Sequence, residues 1–409
     1  MDKQSLIIVG DFNRSDFLYV AKILKDNYNI YFLEYTLKLE IERDEYKQYG
    51  EAIFWSDFNS AQDLINKIKP AKVLFYFIET FNHVAVNVAC KVAGIKTYHI
   101  EHGIRSHDFL KIDFSIPALS LKDKLKNYAA IIGTFRTRLK GRQFFKNTVK
   151  NLPTEHADFL THYFKIRKKE SIAKTFELVK SEYRLADMYI SFSPKIFDFH
   201  ILNDHLPATY PVKFIGCPSF DYLAELKVEN PGNETILFID SGFETQLLFG
   251  WNEDNKKVFL QYLLDFAEST GKKLLIKIHP YGNVALYEEI ISNRNASIIT
   301  NAQFVDGIKS STIIIGFYST LLMPLMAMKH TVCFSLEMHP APIAKPLSGF
   351  LTKTGASLQI KSWEEMYKAY KNIDVVYQQQ LIAKDAFIQN WLYQFDGKSS
   401  ERFIQALHA

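Results

Sequence analysis

Cysteine is scarce: Cys90, Cys217 and Cys333 are the three in 409 residues. They lie far apart in apolar surroundings, with no Cys-x-x-Cys pair and no histidine cluster at metal spacing. That pattern argues against a disulfide framework and a zinc site, and for buried thiols in a reducing compartment. Long hydrophobic runs are missing too. The apolar stretch before Asp11 is shorter than a signal-peptide core. The uncharged run Thr312–Met328 is interrupted by Ser319, Thr320 and Pro324 and falls short of the ~18 apolar residues of a membrane span. A soluble, cytoplasmic protein is therefore expected. Charge of one sign is not in excess, since 49 Lys and Arg face 45 Asp and Glu for a net charge of +4. Such a balance does not call for nucleic acid. Fixed-period repeats and low-complexity tracts are absent as well.

What is present is core material. Hydrophobic residues make up 47%, with 33 Phe and 22 Tyr, against 23% charged residues, which excludes wholesale disorder and supports two or three domains.

Two periods alternate along the chain. Near-continuous apolar runs at 5–10, 29–35, 72–79 and 97–103 read as buried parallel strands. Between them lie helical patterns such as Asn82–Gly94, where Val84, Val88 and Val92 share a face. Residues 188–194 and 212–218 read as two further strands, whereas 121–180 is helical, basic and dotted with aromatics. The stretch Glu229–Glu234 (Glu-Asn-Pro-Gly-Asn-Glu) reads as a linker. After it the alternation restarts, with strands expected at 235–242, 272–280, 296–301, 312–318 and 331–336, and helices near 253–269, 284–292 and from Ser319. This is the pattern of two doubly wound α/β halves. The domain expectation is 1–230 with a helical insertion near 115–182, then 235–385, then a C-terminal helix, 386–409, packing back towards the first domain.

In such sheets ligands bind beyond the carboxyl ends of the strands, and the chemistry-bearing residues collect there. Glu101, followed by His102 and Gly103, closes one strand of the first half and is placed to act as a general base. His279-Pro280 closes a strand of the second half. Ser319-Thr320 follows another and opens the next helix, where hydroxyls and free N–H groups suit an anion. Asp11 and the triplet Asp240-Ser241-Gly242 end the first strand of each half and are expected to line the cleft. Each of these residues alone also reads as ordinary strand-end or turn chemistry. Jointly they describe a phosphate grip on one half and a base on the other.

The segments Ile-Glu-His-Gly-Ile-Arg (100–105), Lys-Ile-His-Pro (277–280) and Gly-Phe-Tyr-Ser-Thr-Leu-Leu (316–322) resemble the three short motifs of bacterial GT-B sialyltransferases: an acidic-acidic-Gly triplet, His-Pro and Ser-Ser/Thr. The resemblance implies a GT-B fold, two Rossmann-like doubly wound domains facing a cleft, and a metal-independent inverting glycosyltransferase without a cofactor. Glu101 would be the catalytic base. His279, with Pro280, Ser319, Thr320, Ser241 and Gly242, would hold the phosphate of a nucleotide-sugar donor, a CMP-sugar being favoured. Asp11, His102, Gly103, Arg105 and Asp240 would line the cleft or meet a glycan acceptor. His102 stands where the family has a second acid, which leaves it as a rival base. The stretch 97–109 also resembles UDP-N-acetylglucosamine 2-epimerases, and so does 214–221. Residues 318–325, however, lack the paired glutamates of that family. Wall-polymer CDP-glycerol phosphotransferases share a His-Pro and a Ser-rich strand end, and His102-Gly103 would supply their His-Gly. A non-catalytic nucleotide-sugar-binding protein is the non-enzymatic alternative.

Within 121–150, Arg136, Arg138, Lys140, Arg142 and Lys146 alternate with apolar residues. They read either as a solvated basic face over a core or as a peripheral contact with the cytoplasmic membrane face. The sequence leaves oligomeric state, sugar and linkage open.

Overall fold

The computed structural model describes residues 3–104, 135–226, 228, 231–280, 282–343 and 346–408. The described residues divide into two compact units, one of residues up to 219 together with the helix Ser399–His408, the other of residues 220–398. Each is built on its own parallel sheet.

The first unit carries β1 (Gln4–Val9), β2 (Tyr28–Leu33), β3 (Glu51–Ile53), β4 (Pro70–Phe75), β5 (Lys96–Ile100), β6 (Met188–Ser191) and β7 (Val212–Phe214), in spatial order β3-β2-β1-β4-β5-β6-β7. Leu6 to Val9 and Val73 to Phe75 are buried on both faces of the sheet, because helices cover both sides. One such helix, Phe81–Val92, starts where the Thr80 hydroxyl accepts the His83 N–H; Val84, Val86 and Val88 pack into the core, while Val92, expected on the same face as Val84 and Val88, is exposed at the last turn.

The helical region after β5 explains its own aromatics. In the helix Phe135–Lys150, Phe144 and Phe145 are buried in the core, and the Thr148 hydroxyl accepts the N–H of Ala61 at 2.8 Å. Lys140, Arg142, Lys146 and Lys150 are exposed on the other side as a basic face. Arg136 and Arg138, like Arg105 and the rest of the segment 105–134, lie outside the described side chains.

The second unit carries β8 (Thr235–Ile239), β9 (Lys273–Lys277), β10 (Ala296–Ile298), β11 (Ser311–Gly316), β12 (Val332–Leu336) and β13 (Leu358–Ile360), ordered β10-β9-β8-β11-β12-β13. Every strand pair in both sheets is parallel. In each sheet the chain winds outward in one direction from the first strand, then restarts on its other side. The reversal falls between β1 and β4 in one unit and between β8 and β11 in the other, and such a switch point opens a crevice at the carboxyl edge.

Residues 231–233, read above as linker, are stitched to the second unit. Gly232 N–H donates to Lys309 O, and the Asn233 side-chain oxygen accepts from Lys272 Nζ at 2.6 Å and Thr312 Oγ1 at 2.8 Å. At the other end of the chain, the helix Ser399–His408 is held by Arg402 Nε donating to Ile215 O at 2.8 Å and by Lys72 donating to Leu407 O.

Candidate functional site

Strand register alone brings the second unit's residues together. Ile239 on β8 lies level with Lys277 on β9 and Gly316 on β11. Two residues further on, Ser241, His279 and Tyr318 leave the sheet side by side, with Gly242 and Ser319 next. The side chains confirm this adjacency. Ser241 Oγ donates to Tyr318 O at 2.9 Å, tying the two loops across the switch point. Gly242 has φ +61°, and a Cβ placed on it would lie 2.8 Å from His279 Nδ1, so glycine is what lets the imidazole rest against this loop. Ser319 Oγ accepts the N–H of Leu321 at 3.3 Å, while Thr320 and Pro280 follow at the rim.

Burial pushes the His279 pKa below its ordinary value. Lys277 and Lys256 act in the same direction, while Asp240 and Glu244 pull against them. The ring is therefore neutral at pH 7 and able both to donate and to accept.

Two expectations need correction here. Ser319 does not open a helix: the helical turn is Leu322–Ala327, only six residues, and Leu321 precedes it without a side-chain cap. Whatever anion affinity this edge has comes from hydroxyls and the imidazole rather than from a helix dipole. Asp240 does not line an open crevice either. Its carboxylate is buried and ion-paired with Lys256, whose ammonium also lies 3.3 Å from Glu244. Four rings, Phe238, Trp251, Phe259 and Tyr287, enclose that ammonium at 5.5–5.9 Å. Burial opposes ionisation of Asp240, but Lys256 outweighs it and holds the carboxyl below its usual range. The side chain also accepts from Gly242 N at 3.2 Å, which shapes the loop that His279 touches.

In the first unit, register sets Glu101 level with Ser191 across β5 and β6. Glu101 is 1% exposed, and its Oε1 accepts from Ser191 Oγ at 3.0 Å and from His200 Nε2 at 2.8 Å. His200 comes from the helix Pro194–Asn203, capped by the Ser193 hydroxyl. Its Nδ1 faces Asp204 Oδ2 at 3.1 Å, and that carboxylate also meets Tyr189 OH at 3.0 Å and Arg184 at 3.4 Å. Burial lowers the His200 pKa, but Glu101 and then Asp204 outweigh it and raise the value to about 9. Asp204 is likewise disfavoured as a carboxylate by burial, and His200 and Arg184 reverse that and hold it low. Two carboxylates, one imidazolium and one guanidinium sum to zero charge, which is how four ionisable groups can share one buried site.

The neighbouring residues are less engaged in chemistry. His102 is half-buried, its ring 4.9 Å from Phe17 and 4.8 Å from Phe77. Gly103 follows at the end of the described stretch, and Arg105 lies outside it. Asp11 accepts from Asn13 N at 3.2 Å and from the Tyr35 hydroxyl, as a turn-forming side chain does. Sequence reasoning missed Ser191, His200, Asp204, Arg184, Lys256 and Glu244. A usable signal existed for one pair, since His200 and the C-cap Asp204 are spaced i,i+4 at the end of one helix.

Among the described residues no cluster of three or more His, Cys, Asp or Glu could hold a metal ion, and no helix is long and apolar enough to cross a membrane.

Solved structures share this architecture at low sequence identity. A protein described as a UDP-N-acetylglucosamine 2-epimerase from Listeria monocytogenes matches with TM-score 0.51 and 12% identity over 99% of this chain and 96% of its own. MurG of Acinetobacter baumannii matches with TM-score 0.51 and 11% identity over 99% of both chains. A variant of the wall teichoic acid polymerase TagF matches with TM-score 0.51 and 13% identity over 100% and 89%. These likenesses establish the fold as GT-B, two Rossmann-like domains. No curated protein matches the sequence. The family model of the alpha-2,8-polysialyltransferases matches residues 2–336, which span both units and include the strand-end segments at 101, 279 and 319. The chain is thus a glycosyltransferase with the GT-B fold, and it belongs to the alpha-2,8-polysialyltransferase family.

Proposed function

We propose that the protein transfers a sialic or other nonulosonic acid from a CMP-sugar to a cell-surface glycan of the capsule or lipooligosaccharide type, by inverting displacement. An acceptor hydroxyl attacks the anomeric carbon, the bond from that carbon to the donor phosphate oxygen breaks, and CMP departs with the bonding pair. The hydroxyl proton passes to Glu101. His279, Ser319 and Thr320 hydrogen-bond the phosphate as its charge grows, a role preorganised donors perform without metal.

One observation carries this reading. His279, the Ser241–Gly242 loop and the Tyr318–Ser319 loop converge at the switch point of one sheet, with Ser241 bonded to Tyr318 and glycine making room for the imidazole. Family membership supports the nonulosonic acid donor. A positioned base is worth ~10²–10⁴ in rate. Glu101→Gln keeps shape and hydrogen bonding but cannot take the proton, so turnover should fall by about that factor while donor affinity holds. The assay is CMP release from a CMP-sugar with glycan acceptor, beside thermal shifts with CMP, CDP, UDP and GDP. Stabilisation by UDP or CDP and none by CMP would move the donor to another class. Near-normal turnover in Glu101→Gln combined with its loss in His102→Ala would move the base to His102.

A further inference from the structure

The ion chain behind Glu101 extends this reading, and the inference rests on Glu101 being the base. A carboxylate at 1% exposure would ordinarily take up a proton, because water no longer stabilises its charge. Protonated, it could not accept the acceptor's proton. Something must therefore keep it ionised without covering its function.

We infer that His200, braced by Asp204, is a positioning residue that keeps Glu101 ionised and aimed, so that the pair sets the acid limb of the enzyme's pH profile. His200 Nε2 lies 2.8 Å from Glu101 Oε1 and Nδ1 lies 3.1 Å from Asp204 Oδ2, so with both carboxyl groups ionised each ring nitrogen carries a proton and donates it. Among the described residues, these groups face the imidazole. From β5 come Glu101 and His99, whose ring meets His200 edge-on at 4.6 Å. β6 contributes Ser191, which bonds the same Glu101 oxygen, and Tyr189, which bonds Asp204. Arg184 reaches Asp204 from the turn Glu182–Arg184, donating to its backbone carbonyl at 2.6 Å as well as to the carboxylate. Its guanidinium stacks 3.9 Å from the Phe176 ring, which fixes its place. The Tyr19 hydroxyl donates to Glu101 O at 2.5 Å, holding the backbone from which the carboxylate projects. The raised pKa of His200, about 9, supports an imidazolium at neutral pH.

Proton transfer during turnover is then balanced within this group. The acceptor O–H bond breaks, Glu101 gains the proton, and the site goes from neutral to +1 until the proton returns to solvent. The imidazolium thus lowers the basicity of Glu101 in exchange for its ionisation. This suits a transition state in which bond breaking to the phosphate leads and proton transfer follows.

The experiment compares pH profiles of kcat and kcat/KM for wild type, His200→Gln, Asp204→Asn and Glu101→Gln. Glutamine can still donate a hydrogen bond to Glu101 but brings no charge. Loss of an adjacent opposite charge moves a carboxyl pKa by ~1–3 units. The acid limb of His200→Gln should therefore shift upward by that amount, with about a tenfold loss per unit at pH values below the limb. Donor KM should be unchanged, and the deficit should shrink as pH rises. Asp204→Asn should shift the limb in the same direction by less, and it reads the effect if His200→Gln does not fold. A deficit equal at every pH, or an unmoved acid limb in both variants, would overturn the inference while leaving Glu101 as base. Wild-type turnover in Glu101→Gln would instead overturn the underlying assignment.

Discussion

Gly242→Ala separates two effects that one methyl group would cause. The first is backbone strain: φ of +61° suits glycine, and a side chain there costs ~1–2 kcal/mol. The second is contact with His279, whose Nδ1, Cγ and Cβ would lie 2.8, 2.9 and 3.0 Å from the new carbon. Swinging the imidazole relieves the contacts at Nδ1 and Cγ but not the one at Cβ, so the collision should add to the strain and should also remove the ring from its place. Gly271→Ala is the control, since it has φ of +70° in the same unit and nothing within 4 Å of the added carbon. Gly271→Ala should lose a few degrees in melting temperature for a unit of this size, and Gly242→Ala somewhat more. CMP at 100 times its dissociation constant should stabilise wild type and Gly271→Ala by ~2.7 kcal/mol. Gly242→Ala at the same concentration should gain little. The measurement is melting temperature with and without CMP. If Gly242→Ala shows the full nucleotide shift, His279 is not part of the phosphate grip.

Two stability predictions follow from the buried charges. Lys256→Met leaves Asp240 and Glu244 buried without their cation and should cost ~3–5 kcal/mol in denaturant unfolding. The double variant Lys256→Met/Asp240→Asn should recover part of that, and strict additivity would show that the pair is not coupled. The His200 chain predicts a pH dependence of known sign. Its folded pKa of about 9 lies above the ordinary 6.5, so its contribution is complete below pH 6.5 and is lost as pH rises through 9. That loss is of order 3 kcal/mol. Stability measured from pH 6 to 10 should decline across this window in wild type and much less in His200→Gln, and equal slopes would exclude the imidazolium.

The sheets were legible because a parallel strand covered on both faces is a nearly unbroken apolar run, as at 5–10 and 312–318. Strands β3 and β13 were not, since Glu-Ala-Ile and Leu-Gln-Ile are three-residue edge strands with a polar residue in each and no unbroken apolar run to notice. His279 and Ser319 could be grouped from sequence because parallel strands carry all their carboxyl ends to one edge, so that only correct strand assignments were needed. Asp240 was misread for a related reason. A strand-end aspartate looks the same in sequence whether it points out or in, and what turns it inward is Lys256, sixteen positions on and resembling any solvent-facing helix lysine. The partner of Glu101 lies ninety-nine positions away on a helix that otherwise reads as core. Pairings of that kind are made by the fold and leave no local pattern.

The helix Ser399–His408 belongs to the unit built by the first half of the chain, although all of the second unit is synthesised before it. The ribosome therefore releases an N-terminal sheet before one of its covering helices exists, and Lys72 and Ile215 wait for their partners until residues 399–408 have been made. The same order of assembly makes this late helix a concern of the first unit: truncation before Ser399 would strip cover from the first unit, not the second, and an expression fragment of the first unit would need this helix grafted on.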